Sequence, residues 1–292
     1  MIIQILFNAL IAGSIYSLVA VGFSIIHVSR RFFDFSVAGS MILIGYSSFR
    51  VGDVVGGGLF VVCTAVVAIT VILNYLLGRC IYRPLRGLAS PPSVMLVASL
   101  GIMILLVNVV SLYFGDGPYR PAVFHFYRSL AFGGGRFTSL QLATFVISLL
   151  IGLIVSYVLE GSSFGVNLRA VASDEMLAKS LGMNLDYLEL SGTWLGLLLV
   201  CVGVILMGLD VGLLPSTGFQ LLIPAVTATV LGGIGNTKGA FAAAFIVGLL
   251  QQTSGALLGI AWQDAVLFAV LLAALFFKPA GLWRTGIRSM QA

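Results

Sequence analysis

The chain has 292 residues, of which 60% are apolar and only 9% charged, with a mean hydropathy of +1.13 and a net charge of +5. Average soluble proteins carry roughly 25% charged residues, so the composition excludes an ordinary soluble domain and describes a polytopic membrane protein. The pI near 9.3 does not point to nucleic acid, because no basic cluster exceeds a few residues. Lys and Arg retained in cytoplasmic loops account for the excess.

In chain order, windows of about twenty apolar residues place candidate spans at 2–28, 34–50, 57–78, 94–114, 140–160, 191–209, 219–235, 239–259 and 262–278. The second and seventh are short. The seventh holds Pro224 and ends on Gly232, Gly233 and Gly235, as a half-helix or re-entrant element would. The expected fold is an all-α bundle of eight or nine transmembrane helices, some short or broken, in a single domain over 1–292. Residues 1–7 contain no Lys or Arg, and 2–28 is too long for a signal-peptide core. It reads as a retained first helix of about 40 Å.

Orientation follows from the basic residues. One side collects eleven of the fifteen: Arg30, Arg31, Arg79, Arg83, Arg86, Arg169, Lys179, Lys238, Lys278, Arg284 and Arg288. The other keeps Arg50, Arg120, Arg128 and Arg136. This places the N-terminus outside and the C-terminus in the cytoplasm. The loop 115–139 is then the main external one, with irregular backbone expected at Pro118, Pro121 and Gly133-Gly134-Gly135.

Small residues form stripes on two helices: Ala9, Gly13, Ser17, Ala20 and Ser24 in the first span, and Ala240, Ala244, Gly248, Gly255 and Gly259 in the eighth. Such stripes let helix backbones approach closely where no hydrophobic force drives association. Cys63, Cys80 and Cys201 have neither disulfide nor metal spacing and read as packing residues.

Chemistry-bearing motifs are sparse. His27 and His125 lie near no metal-ligand cluster, and Gly232-Gly233-Ile234-Gly235 lacks the spacing and Lys of a phosphate loop. Asp34, Asp210 and Asp264 fall at predicted helix ends, and Asp34 reads as a cap on the second helix. No series of buried acids suggests a proton relay, which disfavours a proton-coupled secondary transporter.

The exception is a charged island over 160–189, holding Glu160, Arg169, Asp174, Glu175, Lys179, Asp186 and Glu189 between two spans. Ser173 as N-cap, Asp174 and Glu175 in the first turn and Gly182 at the end predict a helix of about two turns. Met176, Leu177 and Leu181 supply a partly apolar face. A helix this short is marginal in water, so the pattern points to a docking surface for a soluble partner.

Several runs together resemble the permease subunit of branched-chain amino acid ABC importers, the first of its two paired permeases. They are NALIAGSIYSLVAVG at 8–22, RPLRG at 83–87 followed by SLG at 99–101, and GVNLRAVASD at 165–174 with Ala178 and Gly182-Met183-Asn184. LGGIGN at 231–236 with Gly239-Ala240, and KPAGL at 278–282, complete the order. The resemblance implies a bacterial inner-membrane protein that carries no ATP site and is not itself an enzyme. ATP and Mg would bind two cytoplasmic ABC ATPase subunits. A homologous second permease would complete the path, and a periplasmic binding protein would deliver branched-chain or other hydrophobic amino acids. It also implies that 161–190 is the coupling segment, with Asp174, Glu175, Leu177, Leu181 and Gly182 in docking and Arg169 positioning it. Tyr16, Phe35 and Thr227 are the candidates for lining the path. Two runs depart from the family pattern. Asp34-Phe35-Ser36-Val37-Ala38 stands where Asn-Phe-Ala-His-Gly is usual, and Ile223-Pro224-Ala225 where Lys-Ala-Phe is common. These departures leave urea, short amides and small carboxylates open as substrates.

Overall fold

The computed structural model describes residues 2–56, 58–88, 91–120, 129–132, 135–278 and 281–283. Of the features expected in the loop 115–139, Pro121, Gly133 and Gly134 lie outside these residues, as do His125, Arg284 and Arg288.

The helices are α1 (Ile2–Arg30), α2 (Ser36–Val55), α3 (Gly58–Leu77), α4 (Arg83–Gly87), α5 (Pro92–Phe114), α6 (Ser139–Gly161), α7 (Ser163–Ser173), α8 (Glu175–Ser180), α9 (Leu185–Asp210), α10 (Thr217–Gly232), α11 (Thr237–Leu258) and α12 (Gln263–Phe277). A π-helical turn, Gly78–Tyr82, joins α3 to α4 into one 30-residue helix. Seven helices are long and apolar enough to cross a membrane, and α10 is a shorter apolar one. With α2 they form an all-α membrane bundle. The loop 115–139 contributes the only sheet among the described residues, an antiparallel hairpin of β1 (Ser129–Phe132) and β2 (Gly135–Thr138), where irregular backbone was expected.

α1 is the axis of the bundle. It packs against α6, α9, α10 and α11, and 78% of its apolar window is buried, against 28% for α3, α5 and α6 and 11% for α12. A helix that is apolar all round belongs in the interior of a bundle, and its outer neighbours face lipid or a partner chain. Ala9, Gly13, Ser17, Ala20 and Ser24 are all buried. Across from them, a Cβ on Gly248 would lie 2.8 Å from the Ala9 carbonyl. Gly259 departs from the α11 stripe: it ends the helix at a φ of 97°.

The tightest approach is between α1 and α9. A Cβ on Gly22 would sit 2.5 Å from the Gly196 carbonyl oxygen, and one on Gly196 2.6 Å from that of Gly22. The two backbones are therefore in direct contact. Of the cysteines only Cys201 is buried, so the packing expected of Cys63 and Cys80 is corrected: both are exposed on the outer helix.

The bundle has two distinct ends. At one, Phe7 meets Phe137, Tyr119 pairs with Leu213, and the Tyr119 hydroxyl donates to Asp53 at 2.5 Å. Burial, then the Asp53 carboxylate, push that phenol up to about 12, so it remains a donor. The other end gathers the last turn of α1, α4, α7, α8 and the start of α9. It holds Arg30, Arg31, Arg83, Arg86 and Arg169. Gly196→Val is expected to lower stability by about 1–3 kcal/mol through overpacking. Thermal unfolding in detergent should show this, whereas Gly101→Val, where a Cβ meets nothing within 4 Å, should leave the midpoint unchanged.

Candidate functional site

The charged island folds as two short helices. Ser162 caps α7, accepting from the Gly165 amide at 3.2 Å. The expected cap for the second helix is corrected by one residue. Ser173 is the last residue of α7, and Asp174, in extended conformation, is the N-cap of α8, accepting from the Leu177 amide at 2.9 Å. A carboxylate there also complements the positive end of the helix. The C-terminus closes as a Schellman motif: the Gly182 amide donates to the Lys179 carbonyl at 3.0 Å and the Met183 amide to that of Ala178 at 3.1 Å. Gly182 adopts a φ of 79°, which other L-residues rarely reach.

Six residues cannot hold a helix by propensity alone. α8 is held by Ala178, which is buried against Val171 and Leu188 with Phe164 and Met183 around them. The opposite face is uncovered: Met176 is 81%, Leu177 58% and Leu181 68% exposed. Arg169 turns back from this face and donates to the Leu159 carbonyl at 2.8 Å, tying α7 to the end of α6. Arg31, at a φ of 64°, donates to the Val171 carbonyl and ties α7 to the turn between α1 and α2.

Beside this bracket lies a buried polar network that sequence reading missed. Asp34 is 1% exposed and ion-paired with Arg30, which is equally buried. The Asp34 carboxylate also accepts from the Ser36 amide at 2.9 Å, the Ser36 hydroxyl at 2.6 Å and the Tyr82 hydroxyl at 3.0 Å. The reading of Asp34 as a simple cap is therefore corrected. It does bond the first residue of α2, but its main partner is a guanidinium on α1. Arg30 stacks 4.3 Å above the Tyr82 ring and reaches Asn74, whose amide donates to the Leu190 carbonyl at 2.9 Å. Arg86 completes the frame, pairing with Glu189 and donating to the Arg30 carbonyl at 3.1 Å. Arg30 and Asp34 stand four apart, a spacing visible in the sequence. Their partners Asn74, Tyr82 and Arg86 come from α3, the π turn and α4, 44 to 56 residues away.

The three path candidates lie on α1, at the head of α2 and on α10. Tyr16 is half-buried, and its hydroxyl donates to Gln251 of α11. The Phe35 amide donates to Ser99 at 3.1 Å, at the head of α2. Thr227 is fully buried and its hydroxyl is spent on the Ile223 carbonyl of its own helix at 2.8 Å. Among the described residues, no hydrogen bond or ring contact joins the three. The glycine run 231–236 forms the turn between α10 and α11. The Leu231 carbonyl accepts from Leu282, and Gly281 lies against Gly233, so Gly281 and Leu282 dock here.

The run of helices and the capped pair at the charged end match a known family. The family model "Branched-chain amino acid transport system / permease component" covers residues 5–275. The chain belongs to that family. It is 30% identical to the high-affinity branched-chain amino acid transport system permease protein LivH of Escherichia coli K12, over 96% of this chain and 94% of the relative. It is 29% identical to BraD of Pseudomonas aeruginosa, over 96% and 95%. The fold is shared with the solved structure of PsaBC from Streptococcus pneumoniae in complex with Fab. That match has a TM-score of 0.50 and 17% identity, over 94% of this chain and 91% of that one.

In this multi-pass permease the buried ion pair frames the charged end of the bundle. Removing one partner of a buried pair strands the other charge. Asp34→Ala is expected to destabilise the permease by about 3–5 kcal/mol in thermal unfolding. The apolar double replacement Arg30→Met, Asp34→Leu should cost less than the single one.

Proposed function

We propose that this permease is one subunit of an ATP-driven ABC importer for branched-chain or other hydrophobic amino acids in a bacterial inner membrane. The whole chain acts as a single domain, and a homologous second permease supplies the other half of the path. Two cytoplasmic ABC ATPases bind ATP and Mg. A periplasmic binding protein delivers substrate to the end of the bundle carrying the hairpin. The N-terminus lies outside, and the charged end and the C-terminus lie in the cytoplasm. The substrate class rests on the relatives' names.

One observation carries the coupling role: a rigidly capped helix, α8, presents Met176, Leu177 and Leu181 uncovered at the charged end. Apolar side chains held out on so short a helix are stabilised by a groove in a partner, not by the bundle. A push on α8 is transmitted through Ala178 to α7 and α9. From α7 it passes through the Val171 carbonyl and Arg31 to the turn between α1 and α2. Asp174 and Gly182 fix the two ends of α8, Glu175 opens its first turn, and Arg169 anchors α7. The Asp34 departure from the family pattern does not supply a substrate ligand, because all its carboxylate contacts are internal.

Leu181→Asp is expected to reduce ATP-driven uptake at least tenfold in proteoliposomes while leaving the melting midpoint unchanged. Undiminished uptake would refute the docking role. For orientation, Gly117→Cys at the hairpin end should react with an impermeant maleimide in intact cells, with Cys63 and Cys80 replaced by serine. Lys179→Cys should react only after permeabilisation. The reverse pattern would invert the topology.

A further inference from the structure

The 30-residue helix from Gly58 to Gly87 is too long for the bilayer it crosses. At 1.5 Å per residue it spans about 45 Å, against a hydrocarbon core of roughly 30 Å. Residues 58–78 carry no charge, and Arg79 is the first charged side chain after them. The π turn and α4 therefore extend into the headgroup layer, where Tyr75, Arg79, Arg83 and Arg86 recur at spacings of four, four and three along the helix. All four line a cleft of about 360 Å³ between this helix and the start of α9.

The arginines in this cleft are not equally committed. Arg30 and Arg86 belong to the buried frame through Asp34 and Glu189. Among the described residues Arg83 pairs with Asp186 alone, at 3.5 Å and with both side chains largely exposed, a pair that contributes little in water. Arg79 makes no ion pair among the described residues. Thr193, on the α9 wall, is 1% exposed and its hydroxyl has no hydrogen-bond partner. Tyr75 and Leu190, 51% and 39% exposed, give the cleft an open apolar wall, and Ile72 and Leu76, 59% and 48% exposed, continue an apolar surface along α3 outside it. The cleft thus has an under-compensated cationic mouth at headgroup depth above an exposed apolar wall.

We propose that this cleft is a binding site for an anionic phospholipid. Arg79 and Arg83 take the phosphate, and the acyl chains run down the face of α3. Guanidinium groups suit phosphate because they present forked donors and shed water easily. Basic pockets between helices at a membrane surface hold anionic headgroups in this way. The apolar wall favours a lipid over a free anion, which would gain nothing from it. Occupation would also brace Arg86 and Glu189, and through them the start of α9 beside α8.

The test is binding of dioctanoyl phosphatidylglycerol to the delipidated transporter complex in detergent, read by native mass spectrometry. Wild type should retain it at least tenfold better than dioctanoyl phosphatidylcholine. Arg79→Gln with Arg83→Gln should weaken retention at least tenfold, with Lys238→Gln as a neutral control. Arg79→Lys with Arg83→Lys keeps the charge and should retain part of the binding, which guards against a misfolded glutamine variant. Three results would overturn the proposal. These are equal retention of the two lipids, full competition by millimolar inorganic phosphate, and loss of co-purifying ATPase with lipid binding intact, which would make the cleft a protein contact.

Discussion

The pairing of Arg30 with Asp34 is the interaction on which the charged end of this permease depends. Each residue is almost fully buried at the edge of an apolar bundle, where an unpaired charge costs several kcal/mol. The pair is tolerated because further polar groups surround it: Ser36 and Tyr82 donate to the carboxylate, and Asn74 accepts from the guanidinium. In doing so they fix the turn between α1 and α2, the π turn after α3 and the start of α9 against one another. A bundle held by close packing in lipid, with no hydrophobic force between helices, gains its specificity from such contacts and from backbone meeting backbone, as at Gly22 and Gly196.

On this frame the α7–α8 bracket is mounted through α7, whose Leu168 and Phe164 pack against α1, α6 and α9. Ala178 seats α8, Arg169 holds α7 to α6, and Arg31 holds it to the turn that the buried pair stabilises. Under the proposed docking, a force on its apolar face would pass through these ties to α7 and the turn after α1. The same logic explains the economy of the chain. Its acids and bases sit at the ends, as caps, ties and clamps, and the interior offers hydroxyls and amides such as those of Thr227, Tyr16 and Gln251.

Much of the architecture was legible because the bilayer makes apolar runs obligatory. The spans, the shortness of α10 and the gathering of basic residues at one end all follow from length and charge. The errors have local causes. Ser173 and Asp174 are both competent caps, and the choice fell to Asp174 because α7 extends through Ser173. The helix over 58–87 outran its expected end because hydropathy marks only where the chain leaves the apolar layer, while the backbone stays helical through Gly78–Tyr82 and Arg83–Gly87. The hairpin went unseen because it sits in a segment without a strong alternating pattern.

The sequence by itself determined the class, the family and the existence of a capped, charged segment, since hydropathy, spacing and motif order are one-dimensional properties. Only the tertiary structure decided what Asp34 does, which cysteines are buried and which arginines are left with unspent charge. Those outcomes depend on which side chain arrives from a distant helix, and a buried charge takes its meaning from the partner it meets.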